Sequence, residues 1–142
     1  MYDANVSEHQ ALRVLVYSDD RDVRAAVISA LGSQPHPDLP RFEFVECATE
    51  PVVWQHLDGT IADRPDLVIL DGEAVPVGGM GIARQMKDEI YQAPPALVLT
   101  GRPQDAWLAT WSRAEAALPH PIEPMRLAET VISLARGVLQ SA

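Results

Sequence analysis

Four short apolar runs in this sequence each stop at residues able to do chemistry. Residues 14–17 run into Ser18-Asp19-Asp20, residues 67–70 into Asp71, residues 96–99 into Thr100, and residues 116–118 into Pro119-His120-Pro121. If the first two runs are neighbouring strands, about 4.8 Å apart, Asp19 and Asp71 face each other across one crevice. Two close carboxylates repel unless a cation sits between them. An all-oxygen, partly hydrated site of that kind suits Mg²⁺, with Asp20 as a further candidate ligand. Thr100 adds a hydroxyl to the same crevice. His120, between two prolines, reads from its surroundings alone as a loop residue.

The elements that must position these residues alternate. Residues 13–18, 42–47, 66–71, 96–100 and 116–118 read as strands. The run at 66–71, with four adjacent aliphatic residues, suits a central strand covered on both faces. Between them, residues 20–31 carry Val23, Val27, Ile28 and Leu31 at helical spacing and close at Gly32. Thr49 opens a helix with Pro51 in its first turn that ends near Asp58-Gly59. Further helices are predicted at about 80–91, at 104–113, and from Ile122 or Glu123 to about Leu139. Residues 32–41, with three prolines, form a loop; the Gly/Pro-rich stretch 72–79 forms another, and Gly78-Gly79-Met80-Gly81 reads as an irregular, mobile connection. Five strand–helix units imply an α/β fold: a five-stranded parallel sheet with helices on both faces, flavodoxin-like and doubly wound, in strand order 2-1-3-4-5. In that topology ligands gather beyond the carboxyl ends of the strands, where Asp19, Asp71 and Thr100 fall.

Composition narrows the function. The 142 residues are 47% hydrophobic and 22% charged, as expected of one globular domain over residues 12–142, preceded by a loose tail at 1–11. Eleven basic against twenty acidic residues give a net charge of −9, which argues against nucleic acid as a partner. No apolar stretch approaches a membrane span and the start has no secretory pattern, so a cytoplasmic protein without direct membrane insertion is expected. Cys47 is the one cysteine and reads as an inert core residue; His9, His36, His56 and His120 show no ligand spacing. Gly78-Gly79-Met80-Gly81 lacks the features of a nucleotide loop, so neither nucleotide nor flavin is expected, and no nucleophile–base pair marks an enzyme.

The stretches VLVYSDDRDVR (14–24), DLVILDG (66–72), ALVLTGR (96–102) and LPHPIEPMRL (118–127) together resemble the receiver domain of two-component response regulators, over about residues 12–140. The resemblance implies that Asp71 accepts a phosphoryl group from a histidine kinase. It also implies that Asp19 is the principal Mg²⁺ ligand and that Thr100 is the switch hydroxyl.

The departures from the family pattern matter as much. Ser18 stands where the family has an acid, His120 where it has a lysine, and Ala117 where it has an aromatic switch residue. The single lysine, Lys87, lies in mid-helix and cannot replace the missing one. A free imidazole, with a pKa of ~6.5, is mostly neutral at pH 7. The loop after Asp71 is two residues longer than the family's, since the usual start of the third helix matches Gly81-Ile82. Phosphoryl transfer relies on positioned cations and donors, so these losses imply slow phosphorylation and weak Mg²⁺ binding.

Two functions follow as expectations. The first is an atypical orphan receiver without an output domain, since three residues follow Leu139. It binds another protein or serves as an accessory subunit of an assembly, independently of phosphorylation. The second is a single-domain regulator that accepts phosphate at Asp71. Trp107 and Trp111, four apart on a predicted helix, project from one side and are the expected partner-binding residues; the alternative is that they cover the sheet.

Overall fold

In the computed structural model, which describes residues 11–60, 64–102 and 105–141, five βα units follow one another. They are β1 (Leu12–Tyr17), α1 (Arg21–Leu31), β2 (Phe42–Cys47), α2 (Glu50–Leu57), β3 (Leu67–Asp71), α3 (Gly79–Glu89), β4 (Ala96–Thr100), α4 (Ala106–Ser112), β5 (Ala116–Pro119) and α5 (Pro124–Ser141). The strands are parallel in the order β2-β1-β3-β4-β5, as the alternation predicts. No helix among the described residues is long and apolar enough to cross a membrane. The expected tail falls almost wholly outside the described residues.

Alternate residues of the central strands feed two cores. Val14, Val16, Ile69, Leu97 and Leu99 meet Val27 and Leu31 of α1 and Leu127, Val131 and Ala135 of α5. On the other face Leu15, Tyr17, Val68, Leu70 and Val98 meet Val53 and Leu57 of α2 and Ile82, Ala83 and Met86 of α3. Every residue of β3 and β4 is buried, the condition that a continuous aliphatic run anticipates in a doubly covered sheet. Each such Leu or Ile contributes about 1.5–3 kcal/mol by burial, which holds the strand ends, and hence the site, in fixed register.

Several boundaries differ from the sequence expectation. Asp20 lies outside α1 as its N-cap, its Oδ1 accepting the Asp22 N–H at 2.8 Å. Helix α3 starts inside the glycine stretch, at Gly79, so Gly79-Met80-Gly81 form its first turn, not an irregular connection. That close start has a steric cause. A Cβ on Gly79 would lie 2.7 Å from the Leu70 carbonyl carbon, so only glycine lets α3 rest on the end of β3. Helix α4 is shorter than predicted, and α5 runs on to Ser141.

Lys87 is committed at the amino end of the sheet, away from the strand ends that carry Asp71 and Thr100. Its Nζ donates to the Pro94 carbonyl at 3.0 Å and to Glu115 Oε2 at 2.7 Å, while Glu115 Oε1 accepts the Ala96 N–H at 2.7 Å. It clamps α3 to the entries of β4 and β5 and cannot serve the other end.

Candidate functional site

Register brings the predicted residues together. Tyr17 is level with Leu70, so the next residues, Ser18 and Asp71, lie side by side; Thr100 is level with Pro119, which puts His120 just beyond it. Asp71 is only 3% exposed. Its Oδ2 accepts the Ser18 hydroxyl at 2.7 Å. Its Oδ1 accepts the Glu73 N–H at 2.9 Å and lies 2.9 Å from His120 Nε2. His120 is thus tied to the acceptor rather than free in a loop, and its own N–H donates to the Thr100 carbonyl at 2.8 Å. Thr100 is buried beside them.

Ser18 is held on every side. Its Oγ accepts the Asp20 N–H at 3.0 Å, its N–H donates to the Cys47 carbonyl, and Arg24 Nη1 donates to its carbonyl at 2.6 Å. A neutral hydroxyl suits this fully buried place, where an unpaired carboxylate would be costly. Cys47, buried at the end of β2, has its thiol pushed up to about 12 by desolvation, so it stays protonated and unreactive.

The two other acidic candidates are exposed, and each has its Oδ1 engaged. Asp20 caps α1, and Asp19 Oδ1 accepts the Val75 N–H at 3.1 Å from the loop that follows β3. The Tyr17 hydroxyl donates to the Val77 carbonyl of the same loop. Burial first, then the nearby charges of Asp19, Glu50 and Asp71, raise the Tyr17 pKa and keep that hydroxyl a donor. These loop contacts were not legible in the sequence; the one signal was the loop's extra length.

Mg²⁺ calls for near-octahedral oxygen ligands and gives up its water reluctantly. Here Asp71 has donors on both oxygens, Asp19 has one on Oδ1, Asp20 is a helix cap and Ser18 carries no charge. Among the described residues no group of three or more His, Cys, Asp or Glu is arranged to hold a metal. In this arrangement the donors on Asp71 and on Asp19 Oδ1 compete with the ion.

Trp107 and Trp111 are 67% and 45% exposed, while Leu108 and Ala109 of the same helix cover the sheet. The Arg84 guanidinium lies 5.4 Å from the Trp111 ring centroid, and its Nη1 donates to the Trp111 carbonyl at 2.9 Å. A groove of about 780 Å³, lined in part by Arg64, Pro95, Glu115 and Leu134, opens at the amino end of the sheet and includes none of the predicted residues.

No family model matches the chain. A response regulatory protein of Mycobacterium tuberculosis, found in two strains, is 60% identical over 128 residues, spanning 89% of this chain and 93% of the relative. Among solved structures, the receiver domain of a response regulator from Bermanella marisrubri superposes with a TM-score of 0.70 at 20% identity, over 88% of this chain and 98% of that one. A phosphorylated cyanobacterial phytochrome response regulator gives 0.69 at 17% identity, over 93% and 96%. These two show the fold. The close relative, spanned almost end to end, shows the family, and this chain belongs to the response-regulator receivers.

Proposed function

We propose that this receiver acts as a protein-binding module whose output does not depend on phosphorylation, and that it works as an accessory subunit of a larger assembly. The observation that carries this is the state of Asp71. Its carboxylate is buried and both oxygens already hold donors, from Ser18, Glu73 and His120. An oxygen that accepts strong hydrogen bonds is a weaker nucleophile, and the lysine that would offset incoming phosphate charge is absent. The same bonds hold the strand ends in one arrangement without any modification.

A second reading rests on Asp71 and Thr100 lying at adjacent strand ends beside an imidazole able to donate. In that case a phosphoryl group passes from a kinase histidine to an Asp71 oxygen, breaking a P–N bond and forming a P–O bond. Protein contact, with a kinase or another partner, is common to both readings.

The binding surface we assign to α4. Trp107 and Trp111 are exposed aromatic residues on a helix whose other side already satisfies the core, the composition of an interface hot spot. Trp111→Ala is expected to weaken partner capture from native extract about thirtyfold, equivalent to the ~2 kcal/mol typical of such a truncation. The fold loses the Arg84 stacking and the packing of the covered part of the ring, about 1–3 kcal/mol in all, so the Tm falls by several degrees while the chain stays folded. Asp71→Asn tests the independence from phosphorylation. Its amide oxygen accepts from His120 and Glu73, and the Ser18 hydroxyl can turn to accept from the new NH2. Undiminished capture by this variant is the expected result; loss of capture favours the phospho-accepting reading.

A further inference from the structure

The segment between β3 and α3, residues 72–78, joins both acidic centres of the site through its own backbone. The Glu73 N–H is on Asp71 Oδ1 and the Val75 N–H is on Asp19 Oδ1. The loop is closed and anchored. The Gly72 N–H donates to the Leu99 carbonyl and the Ala74 N–H to the Asp71 carbonyl, and the Val77 carbonyl takes the Tyr17 hydroxyl. A Cβ on Gly78 would lie 2.8 Å from the Gly72 carbonyl oxygen, so the two ends of the loop touch. The Glu73 side chain turns toward β4, against Gly101, and does not add its charge between the two aspartates.

Two carboxylates at adjoining strand ends need compensation, and the sequence alone suggested a cation. The described residues provide it in another form: two oriented amide dipoles from one loop, a hydroxyl from Ser18 and an imidazole from His120. We propose that the loop takes the place of a divalent cation in this receiver: the Glu73 and Val75 amides partly offset the charges of Asp71 and Asp19, and a cation that takes Asp19 Oδ1 displaces the Val75 amide. The competition of the loop amides with Mg²⁺ is then a property of the loop's position.

Amide hydrogen exchange in the full chain, followed by NMR during titration with MgCl2, tests this without any phosphoryl donor, so it stands apart from whether Asp71 is phosphorylated. In metal-free protein the Val75 amide, on an otherwise exposed residue, should exchange slowly. Asp19→Ala should accelerate Val75 about fivefold or more while leaving Glu73 slow, because the Glu73 partner is Asp71. With rising Mg²⁺, either no saturable shift is seen at Asp19 and Val75 stays protected, or binding appears and Val75 protection falls in step with it; both agree with competition. The proposal is overturned if Val75 exchanges freely in the metal-free protein, if Asp19→Ala leaves its exchange unchanged, or if Mg²⁺ saturates Asp19 while Val75 stays protected.

Discussion

Gly79→Ala is expected to destabilise this protein by about 1–3 kcal/mol or more, lowering the Tm by roughly 5–10 °C. The added methyl meets the Leu70 carbonyl carbon at 2.7 Å, the Asp71 carbonyl oxygen at 2.8 Å and the Leu70 Cβ at 2.8 Å. Two of the three are backbone of a fully buried strand and cannot turn aside, so α3 must lift from β3. Gly81→Ala, two residues on, should do the opposite. Its Cβ would meet nothing within 4 Å, and replacing a helical glycine by alanine stabilises by about 0.5–1 kcal/mol. Thermal unfolding of the pair checks both signs together. Equal effects would mean that α3 does not begin on the end of β3, and the anchoring of the loop over Asp19 and Asp71 would fall with it.

The double variant Ser18→Asp, His120→Lys is expected to accept phosphate from a small phosphodonor about a hundredfold faster than the natural chain, with Mg²⁺ present. The estimate follows from the size of effect that one positioned donor or cation has on a transition state with developing charge. Lysine at 120 supplies a fixed positive charge where His120 Nε2 now meets Asp71 Oδ1. Aspartate at 18 removes the hydroxyl that holds Asp71 Oδ2 and adds the missing acid, whose buried charge then needs the lysine at 120 and the added Mg²⁺ beside it, which is why the two substitutions are paired. His120→Lys alone should give a smaller gain, since Ser18 still engages the acceptor. If the double variant is no faster, the loop from Gly72 to Gly78 is the obstacle rather than these two residues. Intact mass against time, with Asp71→Asn as the blank, measures the rate.

How far the site was legible differs from residue to residue. The aliphatic run before Asp71 marks a central strand because burial on both faces leaves no polar positions, and all five residues of β3 are buried. Strand order and register then bring Asp71, Thr100, Ser18 and His120 to one end of the sheet, which spacing alone allowed. What spacing did not carry was the bonding. The sequence marked Ser18 as a lost charge, whereas its hydroxyl is a partner of Asp71. It placed His120 where the family has a lysine while its surroundings alone read as a loop, and neither told that its ring meets the acceptor. Rotamers and backbone amides decide both, and neither leaves a periodic trace. The hold of Val75 on Asp19 was hidden for the same reason, a main-chain donor having no residue type. The exposure of Trp107 and Trp111 also waited on packing: a helix of seven residues buries one side, and Leu108 and Ala109 fill it.

The most direct test of a receiver that works without phosphorylation is the intact mass of the natural chain after incubation with Mg²⁺ and a small phosphodonor such as phosphoramidate. With Asp71 buried and held by Ser18, Glu73 and His120, the account predicts that the unmodified mass persists or that any phosphorylated species stays a minor fraction. Rapid, stoichiometric gain of one phosphoryl group, lost in Asp71→Asn, would contradict it and make this chain a working phospho-acceptor.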